Sequence, residues 1–262
     1  MISNDLPDAP ATANPDPAEP PRVKGPAEMP RYRVRIRFSK TGLLRFISHN
    51  DLMRLWDRML RRTGLPLRST EGFHAKTRLS SPLSLAVGFE AADEIIDLEF
   101  TRACSADEVA ELLRGQLPEG LGIVSASVLT TAEARQAVTQ VEYHCAYAEE
   151  FSRRDVEAKA RELLSSTSWF VCRRAPGKPD RRVDIRPYID NIAATEKSIT
   201  ILLHVQAGTT ARPEEVLEAL GWEGARRDAR WAVTRSRVIL GPRPKPTDPP
   251  AAHGEHAVRT ES

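Results

Sequence analysis

Between residues 31 and 38 the chain reads RYRVRIRF, and polar and apolar positions alternate without a break. Tyr32, Val34, Ile36 and Phe38 fall on one side; Arg31, Arg33, Arg35 and Arg37 fall on the other. A period of two predicts a half-buried strand. The period then changes. Leu52, Leu55, Trp56, Met59 and Leu60 recur at helical spacing, behind Ser48 as N-cap and Asp51 at the capping-box position. Gly64 and Pro66 end that helix. A short strand is expected at 67–70, followed by a loop holding Gly72, Phe73 and His74. EIIDLEF (94–100) reads as a strand, 105–117 as a helix capped by Ser105, and 122–130 as a closing strand. The order βαββαβ is the ferredoxin-like split pattern.

The pattern then recurs. A strand at 141–149 and a helix at 153–165 precede a hairpin whose arms are SWFVCRR and RRVDIRPYI. A strand at 198–205, a helix opening at Pro213 and a strand at 231–240 complete the set. The predicted fold class is therefore α+β, with two tandem ferredoxin-like (βαββαβ) units at residues 31–131 and 132–240. Residues 1–30 hold eight of the twenty prolines and residues 241–262 hold five more. Such tails bury too little apolar surface to offset ordering entropy, so both are expected to be disordered.

Composition removes several function classes. No apolar run approaches the length of a membrane span. The first residues are acidic and proline-rich, unlike a secretory leader. Cys104, Cys145 and Cys172 are widely spaced and odd in number, which argues against a disulfide framework, zinc or an iron–sulfur cluster. The expectation is a cytoplasmic protein with no cofactor, no metal and no membrane partner. Charge changes the picture most. Residues 31–78 carry thirteen Arg and Lys against Asp51, Asp57 and Glu71, although the whole chain is only +2. A basic region of that kind attracts phosphate-rich partners.

The first strand places its arginines on the face of the sheet away from the helices. In a ferredoxin-like sheet the strand at 94–100 is its neighbour, so Asp97 and Glu99 point the same way and offer cross-strand pairs. Arg45, Arg54, Arg58, Arg61, Arg62, Arg68, Lys76 and Arg78 exceed what that ladder can absorb. RNA is the expected polyanion, held by its backbone, with Arg33, Arg35, Arg37, Lys40, Arg45, Arg54, Arg58 and Arg61 as phosphate contacts. Ser48, Asp51, Gly72 and Phe73 would shape the surroundings. His49 sits at the positive end of a helix dipole, which favours its neutral form. Together with His74 it is the candidate pair for acid–base cleavage of RNA by 2′-hydroxyl attack. In the second unit, Arg182, Asp184 and Arg186 share strand parity and suggest a salt-bridge row, while Arg173 reads as a solvated turn residue.

The segment RFSKTGLLRFISHNDLMR, followed by RRTGLPLRSTEGF and then LSLAVGFEAADE, resembles a bacterial radical SAM-linked domain of unknown function. VDIRPYI (183–189), with Asp184 and Arg186, and RPEEVL with TRSRV resemble its second half. That domain is found fused to, or encoded beside, B12-binding-type radical SAM proteins. Ala75 and Thr77 stand where the family often has proline, and no CxxxCxxC occurs. The resemblance therefore implies a non-radical accessory protein working with a separately encoded radical SAM enzyme. The expected role is RNA modification or processing, on tRNA or rRNA, with no catalytic activity of its own. Two alternatives stand beside it: a metal-independent endoribonuclease of the CRISPR RNA-processing type using His49, and an interaction module that docks an acidic protein.

Overall fold

The structure, a computed structural model, describes residues 32–71, 75–146, 153–175, 177–222 and 233–243, the side chains of residues 175 and 178 excepted. The expectations for residues 1–30 and 244–262, and for Arg31, Gly72, Phe73 and His74, lie outside the described residues, while Gly241, expected to begin the second tail, ends the last strand. The described residues form an α+β fold with a large mixed sheet and four α-helices.

The alternating strand is β1 (Tyr32–Lys40), with Val34, Ile36 and Phe38 buried. After a 3-10 turn at Gly42–Phe46 comes α1 (His49–Arg62). Ser48 Oγ accepts the Asp51 N–H, the cap the sequence predicts. The apolar stripe of α1 packs on β1, with Phe38 and Trp56 edge to face at 5.0 Å. β2 is only Leu79–Ser80. The strand expected at 67–70 is instead two isolated bridges, Leu67 to Phe100 and Ser69 to Thr77. Pro66 offers no N–H to continue a ladder there. β3 (Glu90–Phe100) is longer than its apolar core suggests. α2 (Ala106–Arg114) follows, with Ser105 Oγ accepting the Glu108 N–H, and then β4 (Leu121–Val128).

β5 (Ala137–Ala146) and α3 (Arg153–Ser165) open the second half. The hairpin β6 (Phe170–Ala175) and β7 (Lys178–Asp184) forms its own two-stranded sheet. Its returning arm does not run to residue 189 as expected. Asp184 Oδ1 accepts the N–H groups of Trp169 and Arg186, and the chain turns at Arg186–Tyr188. A separate strand, β8 (Ile189–Ala194), then pairs with β9 (Ser198–His204). α4 (Pro213–Ala219) and β10 (Val233–Gly241) complete the described fold.

The main sheet runs β4-β1-β3-β10-β5-β9-β8, with β2 also on β3. All pairings are antiparallel except β10 with β3, where Thr234 faces Glu90 and Arg235 faces Ala91. That short parallel contact joins the two halves into one sheet. Buried side chains form one cluster under α1 and α2 and another under α3 and α4. Among the described residues no helix is long and apolar enough to cross a membrane.

Candidate functional site

β1 and β3 meet in the register that the sequence implies, Arg33 opposite Glu99 and Arg35 opposite Asp97. Arg33 donates to Glu99 at 2.7 Å. Arg35 binds Asp97 in a fork, at 2.7 and 2.8 Å. Arg37 pairs with Asp93 and also reaches the carbonyl of Val238 on β10. On the same face a groove of about 500 Å³ is lined by Arg35, Arg37, Glu133 and Arg237, among others. Arg237 lies 3.8 Å from Glu142. On this face Arg33, Arg35, Arg37 and Arg237 thus each lie against an acid, Glu99, Asp97, Asp93 and Glu142. Arg78, half-buried, lines a second groove with Arg33, Asp97 and Glu99. The ladder absorbs all three described arginines of β1.

The outer side of α1 is different. Arg54, Arg58, Arg61 and Arg62 are exposed and recur at helical spacing over about 12 Å of axis. Arg54 meets Asp51, and Arg61 meets Asp57, each at 2.9 Å. Such solvated pairs hold weakly, at about 0.2–1 kcal/mol, and give way readily to phosphate. Among the described residues Arg58, Arg62 and Lys76 have no acid within ion-pair distance. Asp57 also accepts the Thr77 N–H, and Arg61 donates to the Ala75 carbonyl. These bonds fold the segment bearing Lys76 against the helix. Asp51 is held below the usual carboxylate range by the Ser48 hydroxyl first and Arg54 second.

Lys40 does not join either surface. It is only 1% exposed. Its even number places it with Val34, Ile36 and Phe38, on the helix-covered side. Glu94, opposite Phe38, shares that side at 3% exposure, and Arg235 of β10 is 1% exposed. Arg235 Nη1 lies 3.0 Å from Glu94 Oε1, and Nη2 donates to the Ser84 carbonyl at 2.8 Å. The guanidinium carbon stands 5.6 Å from the centre of the Tyr143 ring. A bulge between Arg235 and Arg237 sends the second arginine to the opposite face, where it lines the open groove. Burial pushes the Glu94 carboxyl up to about 7, although Arg235 and Lys40 pull it down. Burial also lowers Lys40.

His49, first residue of α1, is half-buried beside this cluster. Burial lowers its pKa, and the charges of Arg235 and Lys40 lower it further, so the ring is neutral near pH 7. The sequence indicated the direction through the helix dipole but not these neighbours. Arg45 lies 3.9 Å from Glu90, with its guanidinium 4.7 Å from the Phe46 ring centre. The signal for the buried cluster was present in strand parity: Lys40 and Glu94 occupy inward positions of otherwise apolar alternation. Arg235 shares parity with Val233, but the bulge that follows is not legible in VTRSRV.

The second-half residues serve the fold. Asp184 caps the turn after β7. Arg186 donates to the carbonyls of Ile189 and Leu164. Arg182 stacks on Phe170, its guanidinium 3.9 Å from the ring centre. The expected row of Arg182, Asp184 and Arg186 therefore does not form, because each faces a different partner. Arg173 is no solvated turn residue: it forks onto the fully buried Glu215 at 2.8 and 2.9 Å.

Among solved structures, the chain is similar to a chain of a Cbf5-Nop10-Gar1 complex, at 10% identity and a TM-score of 0.39. The match covers 78% of this chain and 48% of that one, so less than half of that chain is spanned. It is also similar to an unknown protein from Galdieria sulphuraria, at 10% identity and a TM-score of 0.26, over 81% and 99% of the two chains. Both superpose too loosely to support an argument. No curated protein matches. The family DUF2344, described as an uncharacterized protein conserved in bacteria, matches residues 33–213, well over half of the chain, and the chain belongs to it.

Proposed function

We propose that the protein is a non-radical accessory factor that binds RNA through the outer side of α1. The observation that carries this reading is the exposed set Arg58, Arg62 and Lys76, without acid partners among the described residues. Arg54 and Arg61 flank it in weak solvated pairs. Arginine forks match phosphate oxygens, and each neutralised phosphate releases counterions. The acid-matched open sheet face is assigned no role in this contact. The RNA class is tRNA or rRNA, the compartment the cytoplasm, and the partner a separately encoded radical SAM enzyme. The last assignment rests on the sequence motifs alone. We read the architecture as two tandem ferredoxin-like units, supported by the strand orders β4-β1-β3-β2 and β10-β5-β9-β8.

Fluorescence anisotropy with a labelled structured RNA tests the reading. Affinity should fall steeply between about 50 and 200 mM salt. Salt-sensitive capture of an acidic protein, with no RNA affinity, would replace it by a protein-docking role.

A second reading has its own support. His49 is neutral, half-buried and close to two cations, as a general base beside a charge stabiliser would be. Incubating structured RNAs with the protein in EDTA tests it: cleavage lost in His49→Ala supports a nuclease, and intact RNA removes it.

A further inference from the structure

Beside β2 lies the second groove, of about 340 Å³, lined by Arg33, Thr70, Arg78, Ser80, Asp97 and Glu99, among others. Hydrogen bonds fix its wall. The Arg78 N–H donates to the Arg68 carbonyl at 2.7 Å, and the Arg78 carbonyl accepts the Glu99 N–H at 3.1 Å. The same short segment is tied to α1. Asp57 accepts the Thr77 N–H at 3.2 Å, and Arg61 donates to the Ala75 carbonyl at 2.8 Å. One strip of chain therefore carries exposed Lys76 beside the arginines of α1 and Arg78 in the groove wall. The two residues are at most about 7 Å apart along the backbone, the scale of a single nucleotide.

The groove holds both signs of charge. Arg33 lies against Glu99, and Arg35 forks onto Asp97 from behind. Arg78 has no acid within ion-pair distance among the described residues. Two carboxylates in the lining repel a phosphate, and the arginines around them repel a cation. A neutral ring with acceptors on one edge and donors on another suits both. Carboxylate oxygens accept more than the one bond each arginine nitrogen supplies. The unpartnered polar atoms buried around the groove are likewise of both kinds: Nε of Arg33 and of Arg78, and Oε2 of Glu99. An arginine without an acid presents a fork, and guanine is the base whose N7 and O6 accept such a fork side by side. Adenine carries an amino donor where guanine has O6. We propose that this groove holds the base of an unpaired guanine in the bound RNA. Arg78 donates to N7 and O6, the carboxylates of Asp97 and Glu99 accept from the N1–H and the N2 amino group, and Lys76 with the outer side of α1 holds the neighbouring phosphates. In a duplex the N1 and N2 donors are already engaged, so the base must be unpaired. The inference rests on the RNA reading above, to which it adds a base preference.

Two measurements on the full chain test it. The first is anisotropy with a labelled oligouridine and with the same oligomer carrying one central guanosine. The wild type should bind the guanosine oligomer at least about fivefold more tightly. Arg78→Gln should lose that preference. Ser80→Leu, which fills the groove from an exposed position without changing charge, should lose it too and keep the affinity for oligouridine. If Arg78→Gln does not fold, Ser80→Leu decides. The second measurement reads the groove without the α1 surface: guanosine monophosphate should raise Tm more than adenosine monophosphate does, and in Ser80→Leu the two should act alike. Equal affinity for the two oligomers, or a preference that Ser80→Leu retains, overturns the guanine groove and leaves the α1 surface standing. A guanosine-specific gain in Tm without any RNA affinity keeps the base pocket and removes the RNA reading. Neither RNA affinity nor a guanosine-specific gain removes both.

Discussion

At the scale of single residues, the clearest energetic statement concerns Arg35 and Asp97. Their side chains are 8% and 17% exposed and joined by two hydrogen bonds. Removing one partner strands the other charge in a poorly hydrated place. Arg35→Met should cost about 2–4 kcal/mol in urea unfolding, while Arg35→Met with Asp97→Leu should recover most of that loss. The same loss in the double variant would show that the pair itself stabilises the sheet. Glu94 gives a pH prediction whose sign follows from its raised pKa. The folded carboxyl releases its proton near 7 and the unfolded one near about 4.3. Folding therefore gains from this group below the unfolded value, and that gain is lost as pH rises through about 7. The difference in stability between wild type and Glu94→Gln should thus move against the wild type between roughly pH 4.5 and 7, and stay flat above. Urea midpoints across that range check it. These residues also show how far a sequence can be read. The ladder was legible, because antiparallel register and strand parity follow from alternation. The buried cluster was half legible. Lys40 and Glu94 announce themselves as charges at apolar positions, but their third partner comes from a strand some 140 residues away that pairs across a junction no local pattern encodes.

At the scale of elements, caps and turns decide how α1 is held. Ser48 caps its first turn, and Ser48→Ala should lower stability by about 1 kcal/mol while leaving the arginines of α1 exposed. RNA affinity of that variant should therefore be unchanged below its unfolding transition. The 3-10 turn before α1 depends on Gly120. Its φ is +85°, and an added Cβ would stand 2.5 Å from the Thr41 carbonyl oxygen. The Thr41 N–H donates to the Gly120 carbonyl at 2.8 Å, so the two segments have no slack. Gly120→Ala should cost about 1–3 kcal/mol, read from the same urea transition. The four helices and most strands were legible from periodicity and from serine or proline at helix starts. The failures have physical causes. Residues 67–70 look like a strand but pair only one residue at a time, and RRVDIRPYI looks continuous until the Asp184 carboxylate captures two backbone N–H groups and turns the chain.

At the scale of the molecule, one sheet runs through both halves, with charge divided between its two sides. On the open face Arg33, Arg35, Arg37 and Arg237 lie against acids, whereas Arg58, Arg62 and Lys76, by the outer side of α1, are exposed with no ion-pair partner among the described residues. The basic segment that composition locates is real, but composition cannot say which side of the sheet keeps its charge. That depends on the acids of β3, which the fold brings opposite β1 from about sixty residues away. A comparison of two variants by RNA anisotropy at several salt concentrations tests the polyanion surface most directly. Replacing Arg58, Arg62 and Lys76 together by alanine should weaken binding at least tenfold and reduce the salt slope by two to three phosphates' worth, about 0.9 for each. Replacing the open-face Arg237 by alanine should leave both unchanged. Equal affinity in the triple variant, or a loss confined to Arg237→Ala, would contradict the assignment of the polyanion surface to α1.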